Sequence, residues 1–124
     1  MPRPPQISDA ESEVMKVLWD DSPLTGSEVA ERMSAHPKTV KTLLGRLVKK
    51  GALKYREEGN RFLYRPAFPR EQYVAAESRS FLERVFSGDA APAVIHFVEN
   101  VKLSDDDIRE LRDVLERRAR GGKE

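Results

Sequence analysis

Cysteine is absent from the 124-residue chain, which removes disulfides, iron–sulfur clusters, thiolate zinc sites and cysteine nucleophiles together. Aromatic residues are few, 7% of the total. No stretch approaches the roughly 18 consecutive apolar residues of a transmembrane helix. The opening MPRPPQIS lacks the apolar core of a secretory signal, so a cytoplasmic location is expected. The two histidines, His36 and His96, stand on different elements with no cysteine near, and no metal site is expected. Asp105, Asp106 and Asp107 lack the glycine and distal glutamate of an EF-hand loop and read as acids at a helix start. No serine–histidine–aspartate order, carboxylate pair or phosphate-cradling glycine loop stands out, so neither catalysis nor a cofactor is expected.

Charge is plentiful, at 35% of residues, and the net value of +1 conceals its distribution. Residues 1–36 carry −4 and residues 66–124 carry −2. Between them, residues 37–65 hold nine basic side chains against Glu57 and Glu58, a block of +7. Such a block is the footprint of a surface that meets a polyanion, and equally of a solvated charged face.

The hydrophobic periodicity predicts a mainly α chain. Residues 1–7, rich in proline, read as a disordered arm. Ser8 and Glu11 form a capping box ahead of Ala10, Val14, Val17 and Leu18, and Asp20 to Pro23 end that helix. Leu24 starts a very short strand, and Thr25 with Glu28 caps a second helix carrying Val29 and Met33. A third helix begins at Pro37, in the position where a missing N–H costs nothing. Its apolar residues are Val40, Leu43, Leu44, Leu47 and Val48, and Gly51 terminates it. Its other side carries Lys38, Thr42, Gly45 and Lys49, flanked by Thr39, Lys41 and Arg46. Two extended runs, Leu53 to Arg56 and Arg61 to Arg65, are joined by Glu57-Glu58-Gly59-Asn60 and read as a hairpin. Three helices followed by a basic hairpin is the order of a winged helix-turn-helix, placed at residues 8–66.

Residues 67–120 are expected to form three further helices, about Pro69 to Ser87, Asp89 to Asn100, and from Ser104 on; residues 121–124 are expected to fray. The stripes comprise Val74, Phe81, Leu82, Val85 and Phe86, then Val94, Ile95, Phe97 and Val98, then Ile108, Leu111, Val114 and Leu115. They have too little mass for an independent core. A second copy of the chain would supply the missing surface, so this half is read as a dimerisation region.

In a helix-turn-helix the second helix of the motif enters the DNA major groove with its N-terminal residues at base edges. Here those are Lys38, Thr39, Lys41 and Thr42, able to reach guanine, phosphate or a thymine methyl. Arg46, Lys49 and Lys50 are placed for phosphates, and Arg56 and Arg61 on the hairpin for flanking backbone. Each has a plainer reading: dipole compensation for Lys49 and Lys50, back-bonding for Thr39. Gly45 costs about 1 kcal/mol against alanine in mid-helix, for close approach to DNA or for nothing. Trp19, Tyr55, Phe62 and Tyr64 read as packing aromatics rather than stacking platforms. An acidic protein is the alternative partner for the same face.

The stretches ISDAESEVMKVLWDDSPLTGSEVAERM, PKTVKTLLGRLVKKGALKY and GNRFLYRP, with SFLERVFSGD and VIHFVENVKLSDDDIRELRDVL, resemble the BlaI/MecI family of penicillinase repressors. The resemblance covers nearly the whole chain. It implies a homodimeric winged-helix repressor of β-lactam-resistance or related stress genes on a palindromic TACA/TGTA operator, with interlocking C-terminal helices. It further implies relief through a membrane sensor protease pathway, ending at an Asn-Phe bond whose matching position is His96-Phe97. The asparagine is absent here, as is the cysteine-rich tail of copper-responsive relatives. His36 stands where relatives often carry serine, and Gly45 where asparagine is common.

Overall fold

The computed structural model describes residues 3–121. The elements run α1 (Asp9–Asp20), β1 (Leu24–Thr25), α2 (Gly26–Met33), α3 (Pro37–Lys50), β2 (Leu53–Glu58), β3 (Arg61–Pro66), α4 (Arg70–Phe86), α5 (Ala90–Asn100) and α6 (Asp105–Gly121). Helices α1 to α3 carry one face each into a single core: Val14, Met15 and Leu18; Val29 and Ala30; Val40, Leu43, Leu44 and Leu47. Leu24, Ala52 and Leu53 close it from the strands. The three strands form an antiparallel sheet in the order β1-β3-β2. This is a winged helix-turn-helix, with β2 and β3 as the wing.

Local signals position these elements as the sequence predicts. Both capping boxes form: the Ser8 hydroxyl accepts from the Glu11 N–H at 3.1 Å, and the Thr25 hydroxyl from the Glu28 N–H at 3.2 Å. Each glutamate returns to the N–H of its cap, at 2.9 and 2.8 Å. Gly51 leaves α3 at φ +86°, the left-handed conformation that a side chain would strain. The hairpin turns more tightly than expected. Glu57 and Glu58 continue β2, pairing with Phe62 and Arg61, and only Gly59 and Asn60 form the turn. Gly59 supplies the positive φ, +64°, that a two-residue hairpin turn requires.

Two expectations need correction. The segment read as a disordered arm is tied down over residues 5–7. The Pro5 carbonyl accepts from the Tyr73 hydroxyl, the Gln6 carbonyl accepts from Lys50 Nζ at 3.2 Å, and Ile7 packs against the core. Residues 1 and 2 lie outside the described residues. The division of the chain also falls later than residue 66. The compact units are Met1–Arg79 and Ser80–Glu124, with the boundary inside α4. The cause is Tyr73, which is buried and packs on Trp19 with ring centroids 5.2 Å apart. Burial first, then the charges of Glu77 and Glu11, push its hydroxyl up to about 12, so it stays a neutral donor. Trp19 in turn donates to the Phe68 carbonyl at 3.0 Å.

In the second unit, Ser104 and Asp107 bond reciprocally at 3.0 Å to open α6. Asp89 precedes α5 as its cap residue but makes no side-chain cap bond, against expectation. Gly121 closes α6 instead of fraying, and residues 122–124 lie outside the described residues.

The buried carboxylate of Glu11 is held by Lys50, Nζ to Oε1 at 2.5 Å, joining α1 to the end of α3. Burial would raise its pKa, but the Lys50 and Ser8 hydrogen bonds outweigh that and leave it below the ordinary 4.5. The pair therefore stabilises the fold above the unfolded pKa and loses that contribution as pH falls through the folded one. Lys50→Met should cost about 1–3 kcal/mol in urea unfolding near neutral pH, because a buried acceptor is stranded. In that variant only Ser8 opposes burial, and protonation relieves the cost. The gap to wild type should narrow as pH falls through the ordinary carboxylate value of 4.5; an undiminished gap there would show that Lys50 acts through packing alone.

Candidate nucleic-acid interface

The four buried side chains of α3 fix its rotation, since residues three and four apart share a face. Lys38, Thr42, Gly45 and Lys49 therefore line the outward side, with Thr39, Lys41 and Arg46 beside them, and all seven are exposed. His36 performs the capping: its Nδ1 accepts from the Lys38 N–H at 3.1 Å, and Pro37 follows as the first helical residue. Among the described residues, Lys38, Lys41, Arg46 and Lys49 make no ion pair. Four unneutralised cations on one helix repel each other and favour an anionic partner.

The back-bonding threonine is Thr42 rather than Thr39. The Thr42 hydroxyl donates to the Lys38 carbonyl at 3.1 Å, which leaves its methyl and oxygen lone pairs for an outside partner. Gly45 needs no explanation from inside the fold, because a Cβ built there meets nothing within 4 Å.

Lys50 is a correction. Sequence reading placed it among the phosphate-binding residues, but its ammonium is engaged by Glu11 and by the Gln6 carbonyl. It anchors α3 instead of extending its cationic face. Arg56 and Arg61 remain exposed on the wing, each loosely paired with Glu58 at 3.7 and 4.0 Å. Exposed pairs of that length contribute little and yield readily to phosphate.

Sequence reading missed two cations. Lys54 and Arg65 are direct cross-strand partners, both exposed, and like charges facing each other weaken a hairpin unless an anion intervenes. The hairpin register, set by the two-residue turn, would have revealed the pair. The register also sorts the wing into faces. Tyr55, Tyr64, Phe62 and Glu57 share one; Lys54, Arg56, Arg65 and Arg61 share the other with Glu58 and Leu63. Tyr55 packs edge-on to Phe62 with centroids 5.0 Å apart, the cross-strand contact expected of these aromatics.

In the second unit the apolar residues divide. Phe81, Leu82, Phe86 and Leu111 are half-buried, with Phe81 against Phe86 and Phe97 at 5.7 and 6.1 Å. Val85, Val94, Ile95, Phe97, Val98 and Leu115 are exposed, as are Ile108 and Val114 and also Val101, which sequence reading did not single out. Val74, on the part of α4 in the first unit, is exposed as well. The His96-Phe97 bond lies within α5, and the His96 carbonyl also accepts from Asn100 Nδ2 at 2.9 Å. Among the described residues no group of His, Asp or Glu is arranged to hold a metal. No helix there is long and apolar enough to cross a membrane.

A family model described as penicillinase repressor matches residues 7–117. The chain belongs to the penicillinase-repressor family. It is 43% identical to the penicillinase repressor of Bacillus licheniformis, over 100% of both chains. To the methicillin resistance regulatory protein MecI of Mammaliicoccus sciuri it is 32% identical, over 91% of this chain and 95% of that one. Among solved structures it is similar to monomeric BlaI from B. licheniformis in complex with the blaP half-operator. That likeness has a TM-score of 0.51 and 47% identity, covering 59% of this chain and 94% of the other. The penicillinase-repressor family comprises DNA-binding transcriptional repressors, not enzymes.

The stability of the helix that carries the interface can be tested at both positions peculiar to it. His36→Ala should lower stability by about 1 kcal/mol while His36→Ser retains it, because only a side-chain acceptor at the cap matters. Gly45→Ala should raise stability by about 1 kcal/mol. Thermal unfolding reads both, and a lowered midpoint for Gly45→Ala would reveal a constraint on that position within the fold.

Proposed function

We propose that this chain is a cytoplasmic repressor that binds a palindromic operator as a homodimer. Two copies of α3 would enter successive major grooves about 34 Å apart and block transcription. The observation that carries this reading is the outward face of α3, whose lysines and arginine have no counter-charge among the described residues. Lys38, Thr39, Lys41 and Thr42 read base edges; Arg46, Lys49, Arg56 and Arg61 hold phosphates, joined by Lys54 and Arg65. The complex of the related BlaI with its half-operator supports the same assignment, and the names of the relatives support control of β-lactam resistance.

Association would use the exposed apolar residues of the second unit, Val85, Val94, Ile95, Phe97, Val98 and Leu115, together with Val74. The half-buried Phe81, Leu82, Phe86 and Leu111 shape the surface beneath. Large apolar side chains left half in water on consecutive helices favour a partner that covers them, and a second copy presents the same surface. Relief by a membrane sensor protease pathway, if it ends at His96-Phe97, requires α5 to unwind first, because that bond is held in helix. The exposure of Phe97 supports access once it does.

A gel-shift series on the gene's own upstream region, with competitor DNA and varied salt, tests the DNA half. If the six cations assigned to phosphates all engage them in each protomer, log K should fall with log salt at a slope of about −11 for the dimer. Lys41→Ala and Thr42→Ala should relax sequence preference, whereas Lys49→Ala should weaken binding to all sequences alike. Salt-insensitive binding, or capture of an acidic protein with no shift of DNA, would replace this reading with that of a protein-binding module. For association, Leu115→Glu should convert dimer to monomer in sedimentation while leaving the first unit folded. A wild-type chain that is monomeric at micromolar concentration on its operator would refute the dimer.

A further inference from the structure

Four buried side chains hold α3, but α4 joins the first core by far less. Between Arg70 and Arg79, its share of the first unit, only Tyr73 is buried and Ala76 half-buried. The Tyr73 ring lies on Trp19 with centroids 5.2 Å apart. A single ring fixes where a helix starts and leaves open the direction in which it runs. From Tyr73 to Phe86 is about 20 Å of helix, at 1.5 Å per residue. A tilt of about 10° at Tyr73 therefore displaces the far end by roughly 3.4 Å, the rise of one base pair.

The second constraint comes from the segment ahead of α1. The consecutive carbonyls of Pro5 and Gln6 accept from two different helices. Pro5 accepts from the Tyr73 hydroxyl on α4, and Gln6 from Lys50 Nζ, at 3.2 Å, in the last turn of α3. Lys50 is itself held by Glu11 of α1, and Ile7 packs on the core just beyond. Pro4, Pro5 and Ile7 are half-buried along this strap. Proline has little backbone freedom left to lose, so pinning such a segment costs less entropy than pinning an ordinary one. The composition that reads as a disordered arm thus also suits a stiff tie. Burial of the ring alone would be met equally by phenylalanine. The hydroxyl is what links α4, through one peptide, to the helix that carries the cationic face.

We propose that this strap sets the direction in which α4 leaves the first core, with Tyr73 as the positioning residue, and thereby the spacing of operator half-sites that the dimer accepts. The inference rests on the dimeric reading above and deepens it. An α4 free to swivel would let two copies of α3 reach half-sites at several separations, whereas one tied at two points holds them to a single separation. That freedom also weakens binding to the matched site, because the effective concentration of the second α3 is spread over more positions.

The experiment measures affinity for duplexes from the gene's own upstream region, within the sequence that the wild-type chain protects. One duplex carries a single half-site; the others carry both, with the natural spacer or one base pair more or less. Wild type should bind the altered spacers about a hundredfold more weakly than the natural one. Tyr73→Phe, and separately a chain lacking residues 2–6, should bind the single half-site within about twofold of wild type but discriminate between spacers only about tenfold. Ala30→Gly, which loosens α2 without touching the strap, is the control for lowered stability and should keep the wild-type discrimination. Full discrimination in both variants would overturn the proposal. So would a loss on the single half-site as large as that on the palindrome, which would make the strap part of the fold alone. Relaxed discrimination in the shortened chain but not in Tyr73→Phe would remove Tyr73 from its role and overturn the proposal as stated. Equal relaxation in Ala30→Gly would do the same by tracing the effect to stability. A wild-type chain indifferent to spacing would bring down the dimeric reading itself and the proposal with it; a discriminating wild type with equally discriminating variants would bring down the strap alone.

Discussion

Val40, Leu43, Leu44 and Leu47 are sunk in one core, and a rigid helix held by four buried side chains has no freedom to rotate about its axis. Each of the remaining residues of α3 then has a determined direction. Lys38, Thr42 and Lys49 point to water because Leu44 and Leu47 cannot, and turning the two lysines inward would bury ammonium groups at a cost of several kcal/mol each. The ends are determined as well, by the His36 cap and the left-handed Gly51. The wing starts immediately after, with Ala52 and Leu53 in the same core, so its place beside α3 follows from the same burial. Recognition chemistry and hydrophobic packing are thus two sides of one element.

Long-range polar ties complete that framework. The Glu11–Lys50 pair joins the first helix of the core to the last, and takes one cation out of the basic block to do so. Trp19 and Tyr73 bind the beginning of α4 to α1, and through Pro5 they fasten the segment ahead of α1. These contacts share a feature: each spans many positions of chain, and each holds a group that hydrophobic patterning alone does not place. They add directionality to a core whose apolar packing is itself non-directional.

This difference in range decides what could be read from residues alone. The caps at Ser8, Thr25 and Ser104 pair groups three positions apart, so they are legible as written. The buried stripe of α3 is a periodicity, equally local, and its exposed side follows by subtraction. Lys50 was misread because a charge count does not know that a carboxylate 39 positions away is buried beside it. The domain boundary was misplaced for the same reason, since nothing in Pro66 to Pro69 announces that Tyr73 belongs to the first core. Lys54 and Arg65 were missed because the turn was taken as four residues; once it is two, the register pairs them. The kind of ligand was legible from the order of three helices and a basic hairpin; the family resemblance added the operator type and the class of genes.

The two units differ in the physics available to them. The first has a filled core and exposes cations; the second has little buried apolar surface among its described residues, chiefly Ala93, and exposes valine, isoleucine, leucine and phenylalanine along α5 and α6. In the proposed dimer the two contacts would respond to solvent in opposite ways. Added salt screens the α3 lysines from phosphate and releases DNA. Burial of Ile95, Phe97 and Leu115 involves no counterions and is left intact or strengthened by salts excluded from the surface. A repressor built this way would leave its operator as an intact pair rather than as separated chains. In the proposed dimer, separating the pair would fall to the second unit, where the His96-Phe97 bond of α5 sits amid that apolar surface.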